Sequence, residues 1–130
     1  MQTFKPFDRY VCTGDTRTIE MDGLRIVATV HPDRDAHPRE FDCYTEDQIT
    51  AFERGDWCYV GLVLSVYVDE VLLLDRAASL WAIDCNLGDD SDYITECADD
   101  LLPEAFAAGK AQAAKLRRHW RGWQHERPPP

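Results

Sequence analysis

The sequence predicts an α+β domain, a mainly antiparallel sheet of about five strands with one short helix and one long C-terminal helix packed on it. Three observations predict it. From Trp57 to Val68, Cys58, Val60, Leu62, Leu64, Val66 and Val68 are all apolar and alternate with Trp57, Tyr59, Gly61, Val63, Ser65 and Tyr67. That period of two marks a long central strand with one face in a core. Only Asp69 and Glu70 separate it from Val71–Leu74, and two residues reverse a chain but cannot carry a parallel crossover. Further on, Leu102, Phe106, Gly109, Ala113, Leu116, Trp120 and Trp123 recur at alternating spacings of four and three, a helical seam about six turns long.

The remaining elements follow in chain order. Residues 1–16 show little periodicity, with Phe4 and Phe7 flanking Pro6, and read as an edge strand or an ordered coil. Thr18–Met21 and Leu24–His31 are joined by Asp22-Gly23, a pair that tolerates the positive φ of a type I′ hairpin turn. His31 to Glu40 is a charged loop with two His-Pro pairs, each proline disfavouring helix before it. Thr45 to Arg54 is a short helix: Thr45 caps it, Gln48 completes a capping box, Ile49 and Phe52 form the buried stripe and Gly55 ends it. Ser79–Cys85 reads as a third strand of the central meander, with Leu80, Ala82 and Asp84 on one face and Trp81, Ile83 and Cys85 on the other. Ile94, Cys97, Ala98 and Leu101 then open the helical region, and Pro103 either kinks that helix or starts a new one.

The chain of 130 residues is sized for one domain, 1–130, with 1–16 and 125–130 read as irregular or flexible. No apolar run reaches the roughly 18 residues of a bilayer span, and Met1–Asp8 lacks the features of a signal or presequence. A soluble, cytoplasmic protein is expected. Five widely spaced cysteines without a Cys-x-x-Cys pair argue against a disulfide framework and a zinc knuckle. Cys58, Cys85 and Cys97 fall in apolar patterns and read as small core residues.

The net charge of −10 is unevenly spread. Residues 1–104 carry 23 acids and 8 bases, −15, whereas 105–130 carry six bases and Glu126, +5. Such a body repels nucleic acid and attracts basic partners, including proteins that hold DNA or RNA. Asp92, Glu96, Asp99 and Asp100 share one side of a helix and follow Asp89 and Asp90. Arg117, Arg118, Trp120, Arg121 and Trp123 form a second candidate contact surface, because tryptophan and arginine anchor interfaces. A solvated charged face is the plainer reading of each.

No motif of a nucleophile with its base, a phosphate loop, a zinc protease or a dinucleotide site is present. Asp84 alone among the carboxylates interrupts an apolar strand. An enzyme would need a pocket that gathers Asp84, a histidine and another carboxylate, so no residue is assigned a catalytic role and no cofactor is expected. His31 and His37 with Asp33 or Asp35 lack a third ligand at metal spacing. The run from Asp84 through Asn86, Asp90 and Asp92 departs from a calcium loop at Asp89, where glycine is required, and at Thr95, where glutamate is.

Trp57-x-Tyr59-Val60-Gly61, Ser79-Leu80-Trp81-x-Ile83-Asp84 with its acidic turn and helix, and Tyr44-Thr45-x-Asp47-x-Ile49 are similar to segments of small acidic proteins carried by bacteriophages and other mobile elements. The resemblance covers residues 42–104, and it departs at Ala82, where such sequences often have glycine. It implies a protein that disables a host defence, of anti-CRISPR or anti-restriction type, in the host bacterial cytoplasm. Asp89, Asp90, Asp92, Glu96, Asp99 and Asp100 would then stand in for phosphates on a host protein with a basic nucleic-acid-binding surface, without direct binding of nucleic acid or membrane. The alternatives are a self-assembling or adaptor protein that pairs through the C-terminal seam as a homodimer, and a small enzyme of unrecognised type.

Overall fold

The computed structural model describes residues 2–88 and 92–126, with side chains through Trp120. Strands β1 (Thr16–Met21), β2 (Leu24–Pro32), β3 (Cys58–Val68) and β4 (Val71–Cys85) form one antiparallel sheet in the order β1-β2-β3-β4. Helix α1 (Glu46–Arg54) lies between β2 and β3 in sequence, and helix α2 (Asp92–Glu126) follows β4. Asp22 and Gly23 both hold positive φ, 50° and 78°, as a type I′ turn demands. At α1, the Thr45 side chain accepts from the Gln48 N–H, the Gln48 side chain accepts from the Thr45 N–H, and Gly55 ends the helix at φ 88°.

The sheet has four strands rather than about five because Val71–Leu74 and Ser79–Cys85 are one bulged strand. The 11 residues of β3 face 15 of β4. Irregularities fall between Val60 and Leu62, between Leu64 and Val66 and between Val66 and Tyr67, so the extra residues are absorbed in bulges instead of a turn. At the middle bulge Arg76 takes φ 54°, and Ser65 Oγ both donates to Asp75 and accepts from the Arg76 N–H. Another bulge sets Trp81 and Ala82 opposite Gly61, with Ala82 at φ 59°.

That backbone conformation costs an L-residue about 1 kcal/mol. Ala82 therefore occupies a place suited to glycine, and its N–H is held by Asp33 Oδ2 at 2.9 Å. Ala82→Gly is expected to stabilise the protein by about 0.5 kcal/mol, the relief of strain exceeding the added freedom of the unfolded chain. A urea titration that shows the variant to be weaker than the parent would contradict this.

Ile26, Ala28, Val30, Val60, Leu62, Leu64, Val66, Ile83 and Cys85 turn toward α2, which presents Ile94, Cys97, Ala98, Leu102 and Ala105. Gly109 lets α2 approach the sheet closely, since a Cβ there would meet Val66 Cγ1 at 2.8 Å. The N-terminal segment is an ordered strap that buries Phe4, Phe7 and Val11 in the same core. Having no sheet partner, it satisfies its backbone through side chains. Phe4 N–H donates to Asp99 Oδ1 (2.7 Å), Phe7 N–H to Thr95 Oγ1 (3.0 Å), and Val11 exchanges two hydrogen bonds with Asn86.

Helix α2 runs unbroken through Pro103. It crosses the sheet toward the two hairpin tips, where Lys110 reaches Asp22 at 3.4 Å and stacks on Phe106. From Lys115 to Trp120 every residue is exposed. The first half of the apolar seam is thus core, with Leu102 and Gly109 buried, while Leu116 and Trp120 are 47% and 55% exposed. The helix continues to Glu126, and its exposed stretch, residues 115–120, forms an arm that starts beside the first hairpin tip, where Arg117 shares a groove with Asp22 and Leu24.

Candidate interaction surfaces

The acidic side of α2 is set by helical spacing. Asp92, Glu96 and Asp100 are exposed and stand one turn apart, and Glu104 continues the line. Asp99 is half-buried and accepts the Phe4 N–H, so its carboxylate closes the core as well as carrying charge. Asp89 and Asp90 lie outside the described residues. None of Glu96, Asp100 and Glu104 has an ion-pair partner among the described residues.

On the arm, Lys115, Arg117, Arg118 and Trp120 are exposed together. Arg121 and Trp123 continue the helix, their side chains outside the described set. The acidic stripe is at the start of α2 and the basic residues are on its projecting end, so the structure keeps the two candidate surfaces apart.

The opposite face of the sheet carries an aromatic layer that the sequence did not announce. Trp57 and Tyr59 pack edge to face at 5.2 Å, Tyr44 stacks on Trp57 at 5.2 Å, and Phe52 of α1 lies 5.1 Å from Trp57. Trp57 Nε1 donates to the Gln48 carbonyl at 2.8 Å, which fastens α1 to β3. The layer is a second small core, so β3, expected to have one face in a core, is buried on both faces from Tyr59 to Leu64. Its signal in the sequence was the density of rings between Phe41 and Tyr59.

Asp84 belongs to this layer. It accepts a hydrogen bond from the Tyr44 hydroxyl at 2.9 Å, and burial, with Tyr59 and Asp84 alongside, pushes the Tyr44 phenol well above its usual range. The buried Tyr59 hydroxyl lies beside Tyr44 but makes no hydrogen bond of good geometry. Among the described residues no histidine shares a hydrogen bond or ion pair with Asp84: His37 packs on Phe52 and caps a 3₁₀ turn at Pro38–Glu40, and His31 packs toward Trp81 at 6.4 Å. No group of three histidine, cysteine or acidic side chains among the described residues is placed to hold a metal ion. Asp33 instead ties the loop together, accepting from Asp35 and Ala82.

The five cysteines are free thiols. Cys85 and Cys97 are buried, whereas Cys58, at the first position of β3, is exposed despite its apolar register, because the strand begins where the core ends. No helix among the described residues is long and apolar enough to cross a membrane. Comparison with known protein families, curated proteins and solved structures finds no match.

A further surface lies at the hairpin tips, and neither tip stood out in the sequence as more than a turn. Glu20, Met21, Asp22, Gly23, Leu24 and Arg25 of the first hairpin face Asp69, Glu70 and Val71 of the second across an open cleft of about 860 Å³. Val71 is 69% exposed there, and Leu72 follows it.

Proposed function

We propose that this protein is a non-enzymatic binder of a host protein that handles nucleic acid. Its carboxylates take the place of phosphates, in the manner of an anti-CRISPR or anti-restriction protein of a phage or mobile element. The observation that carries the proposal is the exposed ladder Glu96, Asp100 and Glu104. Like charges four residues apart cost a helix about 0.2–0.5 kcal/mol per pair. Only Asp92 lies in the first turn, where the helix dipole favours an acid. A ladder that costs the fold and makes no ion pair among the described residues is accounted for by a basic partner outside it.

Charge reversal is the direct test. Glu96→Lys/Asp100→Lys/Glu104→Lys is expected to weaken partner binding by about 100-fold or more, since like charges brought together at an interface cost several kcal/mol. Asp99 is left in place because its substitution would also release the strap. Binding of the triple variant at the parent's strength, or a complex indifferent to salt, would sink the proposal.

A further inference from the structure

We infer that the basic arm of α2 docks in the acidic cleft between the hairpin tips of a second copy, and that two chains exchange arms about a two-fold axis. The two surfaces are complementary in charge and kind. The cleft brings Glu20, Asp22, Asp69 and Glu70 around Arg25, a net −3, with Val71 on its rim. The arm presents Lys115, Arg117 and Arg118, +3, around Leu116 and Trp120. They also lie at the same end of the molecule, since Asp22 and Leu24 line both the cleft and the groove beside Lys110, Ala113 and Arg117.

Within one chain, Lys110 pairs with Asp22 and Arg117 lines the groove beside it, but no described residue of α2 lines the cleft itself, and Arg118 and Trp120 line neither. A two-fold arrangement makes each arm–cleft contact twice with the same residues, as isologous dimers do. A tryptophan flanked by arginines in a desolvated pocket is the usual anchor of such a contact.

Two variants and their mixture decide it. Glu20→Lys/Glu70→Lys turns the cleft positive while leaving Asp22 and Asp69, which hold the positive-φ turns. Lys115→Glu/Arg117→Glu/Arg118→Glu turns the arm negative, at positions that are all exposed. The parent is expected to sediment as a reversible dimer that weakens with salt, and each variant alone to associate at least 10-fold more weakly (~1.4 kcal/mol). Mixed, the positive cleft receives the negative arm and the positive arm receives the negative cleft, so dimers return as heterodimers. Trp120→Ala, with unchanged helix content by circular dichroism, is expected to weaken all of them.

A monomeric parent at about 1 mM overturns the inference. So does a cleft variant that dimerises like the parent, which would mean that arms pair with arms, or a mixture no stronger than its components. Glu96, Asp100 and Glu104 are unchanged throughout, so the outcome is independent of the proposed inhibitory role.

Discussion

Gly61→Val is expected to destabilise the protein by about 3 kcal/mol and to shift Trp81 fluorescence to the red. A Cβ at Gly61 would sit within the Trp81 indole, which lies flat over the strand there. Glycine inside a strand ordinarily costs about 0.5–1 kcal/mol relative to alanine, so substitution would stabilise if conformation alone mattered. Overpacking costs more, about 1–3 kcal/mol, and wins. The indole is 39% exposed and can swing out, which places the loss in the uncovered ring rather than in a broken sheet. Gly61→Val/Trp81→Ala should therefore lose less than the sum of its two single variants in a double-mutant cycle. Additive losses would mean that the two residues do not meet.

The second large effect is a steep loss of stability in alkali. Burial pushes the Cys85 thiol from 9.0 up to about 12, and the Cys97 thiol and the Tyr44 and Tyr59 phenols are raised for the same leading reason. A group whose folded pKa is raised holds its proton more tightly in the native state. Its contribution is complete below the unfolded value and is lost as pH rises past it. Stability should stay level to about pH 8.5 and then fall, Cys85 alone accounting for roughly 4 kcal/mol by pH 12. Cys85→Ala starts lower because it opens a small cavity, but it should lose about 1.4 kcal/mol less per pH unit between about pH 9.5 and 11.5. Parallel curves for parent and variant in denaturant titrations would contradict the assignment.

Much of the architecture was legible where local chemistry and global fold agree. Asp22-Gly23 permits one turn, the Thr45, Gln48 and Gly55 punctuation permits one helix, and the seam through Leu102 and Gly109 required a sheet to lie against. The fourth strand was not legible as one strand. Arg76, Ala77 and Ala78 look like a break in pattern, and the residue that resolves it, Ser65, is on the partner strand. The strap escaped for a related reason: Phe4, Phe7 and Val11 follow neither helical nor strand spacing, and their backbone partners, Asp99, Thr95 and Asn86, lie far along the chain.

The candidate surfaces divide in the same way. Helical spacing alone aligned Asp92, Glu96 and Asp100, but only the packing of the strap shows that Asp99 serves the core. The exposure of Leu116 and Trp120 depends on where the sheet stops, which no periodicity encodes. The acidic cleft unites residues about 50 apart, and the register of β2 on β3 alone brings its two tips side by side.

The most direct test of the proposed function is capture of partners from bacterial lysate by the parent and by Glu96→Lys/Asp100→Lys/Glu104→Lys, with salt and duplex DNA as competitors. The parent is expected to retain a DNA- or RNA-binding protein, salt and added DNA each to release it, and the triple variant to fail to retain it. A partner held equally by both proteins, or one that added nucleic acid does not displace, would mean that the acidic ladder is not what binds.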